Sequence, residues 1–278
     1  MCGRYTQRRS WSELVEIYRL QEAWRVGRAT GKEQEARRAG RATGKEQEAQ
    51  PALNLPPRYN VAPTQDVPAV RLRAGARELA LLRWGLIPAW AKDPSIGLRM
   101  INARAETVAE KPSFRSALAK RRCLIVADGF FEWQKQPKGP KQPYFITTVD
   151  GEPFAFAGLW ERWDKAQEAR STDPGSAPGA GGAPVESCTI VTTEANAALR
   201  PIHDRMPVML SPDRFDAWLD VDGWPPERAV DLLKPFPAAR IAAVPVSTRV
   251  NSVGNDDPGC IEPFVQSPSG LRPSTPLA

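Results

Sequence analysis

The sequence predicts an α+β fold: a single domain built on curved, mostly antiparallel, barrel-like β-sheets flanked by short helices. Short runs of apolar or alternating residues, typical of β-strands, recur along most of the chain. Helical patterns are fewer and shorter, and they do not alternate regularly with the strands. That arrangement disfavours a doubly wound parallel sheet and favours an antiparallel one.

The strand pattern occurs in seven runs. Each is short and is apolar or alternates apolar and polar residues, as expected for a strand with one or both faces buried. The predicted strands are Glu78–Trp84, Arg122–Val126, Tyr144–Thr148, Pro153–Leu159, Ser187–Thr193, Pro207–Leu210 and Ile241–Val246.

Four short helices are predicted. Ser10 and Glu13 have the spacing of a capping box, which begins a helix that runs to about Leu20. Further along, Ser211 precedes Pro212, so a cap residue stands before proline at the first helical position. The four predicted helices span about 10–20, 113–120, 211–219 and 226–233.

The domain is predicted to cover residues 2–265, with low-complexity inserts at about 27–50 and 164–184 and a flexible tail at 266–278. The first insert holds the ten-residue string GRATGKEQEA twice. Two copies do not make a solenoid, and almost nothing apolar is present to bury. We interpret this insert as a local duplication in a solvated arm.

Composition and charge set the class of protein. Of the 278 residues, 41% are hydrophobic and 25% charged, which excludes a wholly disordered chain. No run approaches the ~20 apolar residues of a membrane helix, and no apolar stretch follows the N-terminal charges, so we expect a soluble, cytoplasmic protein. The net charge is +6, and 28 of the 38 basic residues are Arg. This bias suits phosphate binding, but a GC-rich genome explains it equally well.

Four cysteines lie far apart without a C-x-x-C pair, and the chain has one histidine. A zinc site or a disulfide framework is therefore not expected, and the sequence predicts no metal and no cofactor.

Cys2 is the most informative single residue. Methionine aminopeptidase usually removes Met1 before a small second residue, which would leave Cys2 with a free amine and a thiol on adjacent carbons. Such an aminothiol condenses with an aldehyde to an imine and then closes a five-membered thiazolidine. An α-amine pKa of about 7.7–8.0 leaves a nucleophilic fraction near neutral pH. The alternative is a chance cysteine that is buried and inert.

Four other strings carry chemically useful side chains. Ile101–Glu106 alternates polar residues, as if one face of an extended segment points into a site. Glu132 lies among three aromatic residues, which would raise its pKa into the acid–base range, unless it occupies an exposed strand face. His203 lies beside Asp204 and suits proton transfer, although a lone histidine is more often structural. Trp90, between prolines and near Lys92, suits base stacking if it is not buried.

Together the motifs resemble one family. The match covers nearly the whole chain in order, apart from the inserts and tail, and nine motifs in one order are highly specific. The strings are MCGRY, RYNVAPT, WGLIPAW, INARAE, RRCLIVADGFFEW, FAGLWE, IVTTEAN, IHDRMPV and VNSVGNDDPGCIEP. They are similar to those of the SRAP family, the SOS-response-associated peptidases, which are understood as abasic-site-processing proteins of the DNA damage response.

The resemblance implies a single SRAP domain that senses abasic sites in single-stranded DNA. Cys2 would form a thiazolidine cross-link with the ring-opened aldehyde and thereby protect the lesion. Asn102 would position the amine or sugar, Glu132 would act as general acid–base group, and His203 would assist ring opening. The residues implied in DNA binding are Gly3, Arg4, Pro63, Trp90, Arg104, Thr192 and Arg205.

The resemblance also implies a monomer without membrane contact, in the cytoplasm and associated with the nucleoid of a bacterium. The family is classed with peptidases and hydrolases, and a lyase-like activity and contacts with replication-fork proteins remain open. Whether an aminopeptidase or autoproteolysis exposes Cys2 also stays open.

Two other functions compete with this prediction. An N-terminal Cys followed by Gly also begins glutamine-dependent amidotransferases, in which the cysteine attacks an amide and its own amine acts as base. That class usually carries a second synthetase domain, for which this chain has no room. The other alternative is a noncovalent single-stranded DNA-binding module, whose binding would be salt-sensitive and independent of Cys2.

Overall fold

The computed structural model describes residues 2–20, 55–164 and 183–264, and these form two β-sheets with a few short helices. The strands are β1 Tyr5–Gln7, β2 Arg58–Val61, β3 Asp66–Arg73, β4 Ala76–Trp84, β5 Asn102–Arg104, β6 Arg122–Ala127, β7 Gly129–Gln134, β8 Gln142–Thr148, β9 Phe154–Trp163, β10 Val185–Glu194, β11 Arg205–Pro207, β12 Met209–Leu210 and β13 Ile241–Pro245. The five-stranded sheet has the order β13-β8-β7-β1-β2. The larger sheet has the order β11-β10-β4-β3-β6-β9-β12, and β5 pairs with β10.

The larger sheet closes on itself. Strand β10 pairs with β4 along one edge and with β9 along the other, and β3 and β6 complete the ring between them. Only the pairings of β10 with β4 and β5 are parallel among the described strands. The predicted α+β fold with curved, mostly antiparallel, barrel-like sheets is confirmed.

Two apolar clusters hold the sheets together. One lies between the two sheets and includes Tyr5, Trp84 and Phe156, whose rings meet edge to face. The other covers the opposite face of the larger sheet, where the helices pack through side chains such as Leu14 and Trp218. Burial on both faces explains why several strands are apolar throughout rather than alternating.

The helices are short, as predicted. They are α1 Trp11–Tyr18, α2 Arg115–Lys120, α3 Phe215–Leu219 and α4 Pro226–Ala229. The capping box is present: the Ser10 hydroxyl accepts from the Glu13 amide, and the Glu13 carboxylate accepts from the Ser10 amide at 2.8 Å. None of the helices in the described part of the chain is long and apolar enough to cross a membrane.

Two expectations about the helices are wrong in detail. The Ser211 side chain makes no capping bond to the backbone, because its hydroxyl binds Asp213, and a 3₁₀ turn at Pro212–Arg214 precedes α3. The predicted helix over 226–233 is α4 followed by a 3₁₀ turn at Val230–Leu232.

The predicted strand Pro207–Leu210 is two strands. Val208 donates to Val191 on β10 at 2.9 Å and accepts from Ala157 on β9 at 2.9 Å, so the chain changes partner at this residue. Strands β1, β2, β3, β5 and β7 lacked a predicted counterpart. β3 contains Pro68, which obscures its pattern, and β1 and β5 are too short to show a period.

The predicted arm at 27–50, residues 165–182 of the second predicted insert and the tail at 266–278 lie outside the described residues. The predicted domain limits are therefore not tested.

Candidate active site

Cys2 lies in the extended segment that leads into β1. Strand β1 pairs antiparallel with β7, and the Phe131 amide donates to the Arg4 carbonyl at 3.0 Å, which carries the pairing toward Cys2. The Cys2 thiol is fully buried, 3.9 Å from the Arg4 carbonyl oxygen. Burial, and next the Glu132 carboxylate, raise its pKa well above the usual range. The resting group is therefore a thiol.

Asn102 binds the backbone of Cys2. Its Nδ2 donates to the Cys2 carbonyl at 2.9 Å, and its register against Ile190 on β10 fixes the strand that carries it. Within the described structure, its Oδ1 is buried and accepts no hydrogen bond. An amide oxygen in that state is available to a donor that arrives with a substrate or with a freed amine.

Glu132 lies on β7, between β1 and β8, and is opposite Tyr144 in the pairing with β8. Only 4% of its side chain is exposed. Burial raises the pKa of the Glu132 carboxyl to about 7. The group is therefore both a proton donor and a proton acceptor near neutral pH, as the aromatic neighbourhood in the sequence predicted.

His203 faces Glu132 from a loop. Its Nε2 is 3.9 Å from Glu132 Oε2, and burial lowers the pKa of His203 below its usual range. Nδ1 contacts both the Arg205 amide at 3.0 Å and the Asp204 carboxylate at 2.9 Å, which require opposite protonation states of that nitrogen. With the neutral ring favoured, Nδ1 accepts the amide N–H and Nε2 carries the proton toward Glu132.

The four predicted catalytic residues thus converge, although they come from the N-terminal segment, β5, β7 and the loop before β11. Among the described residues no cluster of His, Cys, Asp and Glu suits a metal ion.

Three of the predicted DNA-binding residues lie beside Asn102, along β5, β10 and β11. Arg104 is exposed on β5. Arg205 makes a bidentate ion pair with Glu106 at 2.7 and 2.9 Å, and it also donates to the Thr192 carbonyl at 2.7 Å. Arg205 therefore already has acceptors that a phosphate would join or replace.

Arg4 is held on the other side of Cys2. Its Nη1 donates to Asn60 Oδ1 at 3.0 Å and to the Val250 carbonyl at 2.9 Å. Gly3, which precedes Arg4, and Pro63, which lies three residues after Asn60, are both half-buried. DNA contacts of these three residues stay predictions.

Trp90 lies on the surface. It is 57% exposed and borders a surface cavity of about 310 Å³ with Lys92 and Arg99. The neighbouring Ala91 carbonyl accepts from Trp163, which pairs with Val185 at the start of β10. A DNA contact of Trp90 stays a prediction.

The sequence analysis missed a network of hydrogen bonds between the segments RYNVAPT and VNSVGNDDPG. Asn60 Nδ2 donates to the carbonyls of Val250, Ser252 and Asn255, at 3.2, 2.9 and 2.7 Å. Asp256 accepts from the Asn60 amide at 2.8 Å and from Arg58 Nε at 2.6 Å. The Asn and Asp residues of these two motifs could have indicated the contact from the sequence. The contact positions the Val250 carbonyl and the Asn60 amide oxygen, which both accept from Arg4.

The chain is similar to known proteins along most of its length. Residues 1–253 match the family model described as SOS response associated peptidase (SRAP). The chain is 36% identical to abasic site processing protein YoqW of Bacillus subtilis over 94% of this chain and 99% of that protein. It is 44% identical to YoaM of B. subtilis over 72% and 82%, and 37% identical to HMCES of Gallus gallus over 75% and 66%; both carry the same descriptive name.

Solved structures share the fold. A crystal structure of a protein from Bacteroides thetaiotaomicron superimposes with a TM-score of 0.71 at 25% identity, covering 95% of this chain and all of that one. A protein from Bordetella bronchiseptica gives 0.62 at 25% identity, over 88% and all of the respective chains.

Proposed function

Because the chain belongs to the SOS response associated peptidase (SRAP) family, we propose that it captures abasic sites in single-stranded DNA through a covalent bond to Cys2. The convergence of a thiol, a carboxyl group with a pKa of about 7 and an imidazole at one place carries the proposal. The names of the relatives, abasic site processing proteins, support the substrate.

The proposed reaction begins after Met1 is removed. The Cys2 amine attacks the C1′ aldehyde of the ring-opened deoxyribose and forms a carbinolamine, which loses water to give an imine. The thiol then adds to the imine carbon, so that a C–S bond forms and the thiol proton ends on the nitrogen. The product is a five-membered thiazolidine, and one water is released overall. The protein is consumed rather than turned over.

Glu132 supplies both proton transfers. Its protonated form donates to the departing hydroxyl of the carbinolamine, and its ionised form accepts the proton of the Cys2 thiol. A pKa of about 7 keeps both forms populated. A base is required because the raised pKa of Cys2 leaves little thiolate. Such acid–base assistance contributes about 10²–10⁴-fold to rate.

His203 and Asn102 orient the reactants. The Nε2–H of neutral His203 donates to the sugar oxygen as the deoxyribose ring opens, and the Glu132 carboxyl lies 3.9 Å from that nitrogen. Asn102 holds the Cys2 carbonyl with its amide nitrogen, and its free Oδ1 accepts from the Cys2 amine or a sugar hydroxyl. This arrangement keeps the amine near the aldehyde.

The strand is proposed to cross the surface that Arg104 and Arg205 form beside Asn102, where the arginines bind phosphates. Thr192 is fully buried and contributes through its carbonyl, which accepts from Arg205. Arg4, Gly3 and Pro63 extend this path on the other side of Cys2. Trp90 stacks on a base farther along. We also propose a cytoplasmic, nucleoid-associated monomer.

The test is a denaturing gel of the protein with an abasic single-stranded oligonucleotide, beside the intact-base strand. Intact mass first verifies that Met1 is absent. We expect a heat-resistant band only with the abasic strand, and no band from Cys2→Ala, whose salt-sensitive binding persists. Cys260→Ser is the matched control, because it alters another buried thiol and keeps Cys2.

A normal cross-link from Cys2→Ala would refute the role of Cys2. No band from wild-type protein that lacks Met1 would instead favour the noncovalent binding module. Glutamine hydrolysis that depends on Cys2 would favour the amidohydrolase.

A further inference from the structure

Gln134, at the end of β7, connects that strand to the loop that carries His203. Its Nε2 donates to the Pro201 carbonyl at 3.1 Å. Its Oε1 accepts from the Tyr144 hydroxyl at 3.2 Å and from Gln136 Nε2 at 3.1 Å. The two acceptor contacts determine which way the amide faces and aim its N–H at Pro201.

The contact between Gln134 and Pro201 lies next to the approach of Glu132 to His203, the two proposed acid–base groups. Gln134 lies two residues after Glu132 on one strand, so both side chains project from the same face of β7. Pro201 lies two residues before His203, in a turn closed by the His203 amide donating to the Leu199 carbonyl at 2.9 Å. The pairs Gln134–Pro201 and Glu132–His203 therefore lie side by side, as in an antiparallel register.

We propose that Gln134 is a positioning residue that sets the separation between the Glu132 carboxyl and the His203 imidazole. The expected effect on the cross-linking rate rests on the proposed function. The contact between Gln134 and Pro201 does not depend on that function. At 3.9 Å, His203 Nε2 lies just beyond hydrogen-bond distance of Glu132, so a small displacement of the loop makes or breaks their proton transfer.

Gln134 is uncharged, so its replacement leaves the local charges in place. The charged and titratable groups that act on the pair are the N-terminal ammonium, the Cys2 thiol, the Asp204 carboxylate and the Lys141 ammonium. A change in proton affinity after substitution of Gln134 therefore reports geometry and burial.

The experiment compares Gln134→Met, which keeps length and removes both polar atoms, with Gln136→Met, which removes only one of the two donors that orient the Gln134 amide. His203 is the only histidine of the chain, so imidazole NMR gives one titration without assignment. We expect Gln134→Met to move the His203 titration upward toward its ordinary value of 6.5, because the released loop exposes the ring. We also expect cross-linking to slow about fivefold, with a shifted pH profile. Gln136→Met, which keeps the bond from Gln134 to Pro201, should give smaller changes in the same direction.

An unchanged His203 titration in Gln134→Met would overturn the inference, even if cross-linking slowed, since a general structural loss would explain the rate alone. If wild-type protein forms no cross-link, the proposed function fails, whereas the titration still tests the contact. Should circular dichroism show that Gln134→Met does not fold, Tyr144→Phe replaces it. That variant loses only the hydroxyl that orients Gln134, and the same shift, smaller in size, is expected.

Discussion

Replacing Glu132 with glutamine is expected to stabilise the protein increasingly as pH rises, while it removes the acid–base group. Burial raises the pKa of Glu132 to about 7, against 4.5 in the unfolded chain. Between these values the folded state binds the proton more tightly. The stability that this proton contributes is fully present below about pH 4.5 and is lost as pH rises through about 7. Glutamine, which does not ionise, avoids that loss.

The magnitude follows from the pKa difference of roughly 2.5 units. At about 1.4 kcal/mol per unit, ionising the buried Glu132 costs about 3 kcal/mol of folding free energy by pH 8. Solvent screening does not lower this cost, because only 4% of the Glu132 side chain is exposed. The difference between variant and wild type should grow by roughly 1.4 kcal/mol per pH unit between pH 5 and 7, then level off.

The assay is urea unfolding of both proteins at pH 5, 6, 7 and 8, with equal m-values as the check on two-state behaviour. Glu194→Gln is the matched control, since it makes the same change at an exposed carboxylate at the end of β10 and leaves Glu132 in place. Cross-linking by Glu132→Gln should fall about 10²–10³-fold over the same range.

A stability difference between Glu132→Gln and wild type that stays constant from pH 5 to 8 would refute this reasoning. It would mean that Glu132 is ionised at pH 5 in the folded protein, and its assignment as both acid and base near neutrality would fail with it.

Three further predictions concern other parts of the site and fold. Asn102→Ala removes the bond to the Cys2 carbonyl, so single-turnover cross-linking should slow about tenfold at saturating DNA; an unchanged rate would exclude its positioning role. Gly85→Ala should lower the free energy of unfolding by about 3 kcal/mol or more in urea titration, because Gly85 has φ +128° and an added Cβ would lie 2.7 Å from the Gly97 carbonyl oxygen. Trp90→Ala should weaken noncovalent binding of single-stranded DNA about tenfold by fluorescence anisotropy while leaving the melting temperature unchanged, since the ring is mostly exposed; equal affinity would exclude stacking.

Local patterns of the sequence predicted the elements whose causes are local. The capping box at Ser10 and Glu13 begins α1 because both its bonds join residues three apart. Six of the seven predicted strands are single strands of the structure, because alternation and β-branching act within a few residues. Short or proline-containing strands escaped prediction for the same reason, since too few residues carried the pattern.

The four catalytic candidates were also named from the sequence, through local chemistry and the order of the motifs. Their meeting was not evident in any one segment. Asn102 reaches Cys2 because β5 pairs with β10, and His203 reaches Glu132 because its loop lies against β7.

Sequence alone therefore identified the candidate catalytic side chains, and the tertiary structure decided their proton affinities and mutual distances. The pKa of Glu132 depends on burial by other segments, from β8, where Tyr144 is 12 residues along the chain, to Cys2, 130 residues before it. The contacts of Asn60 and Gln134 join segments that share no local pattern. Hydrogen bonds and desolvation of this kind arise only when distant strands pack together, because each depends on atoms that another segment supplies.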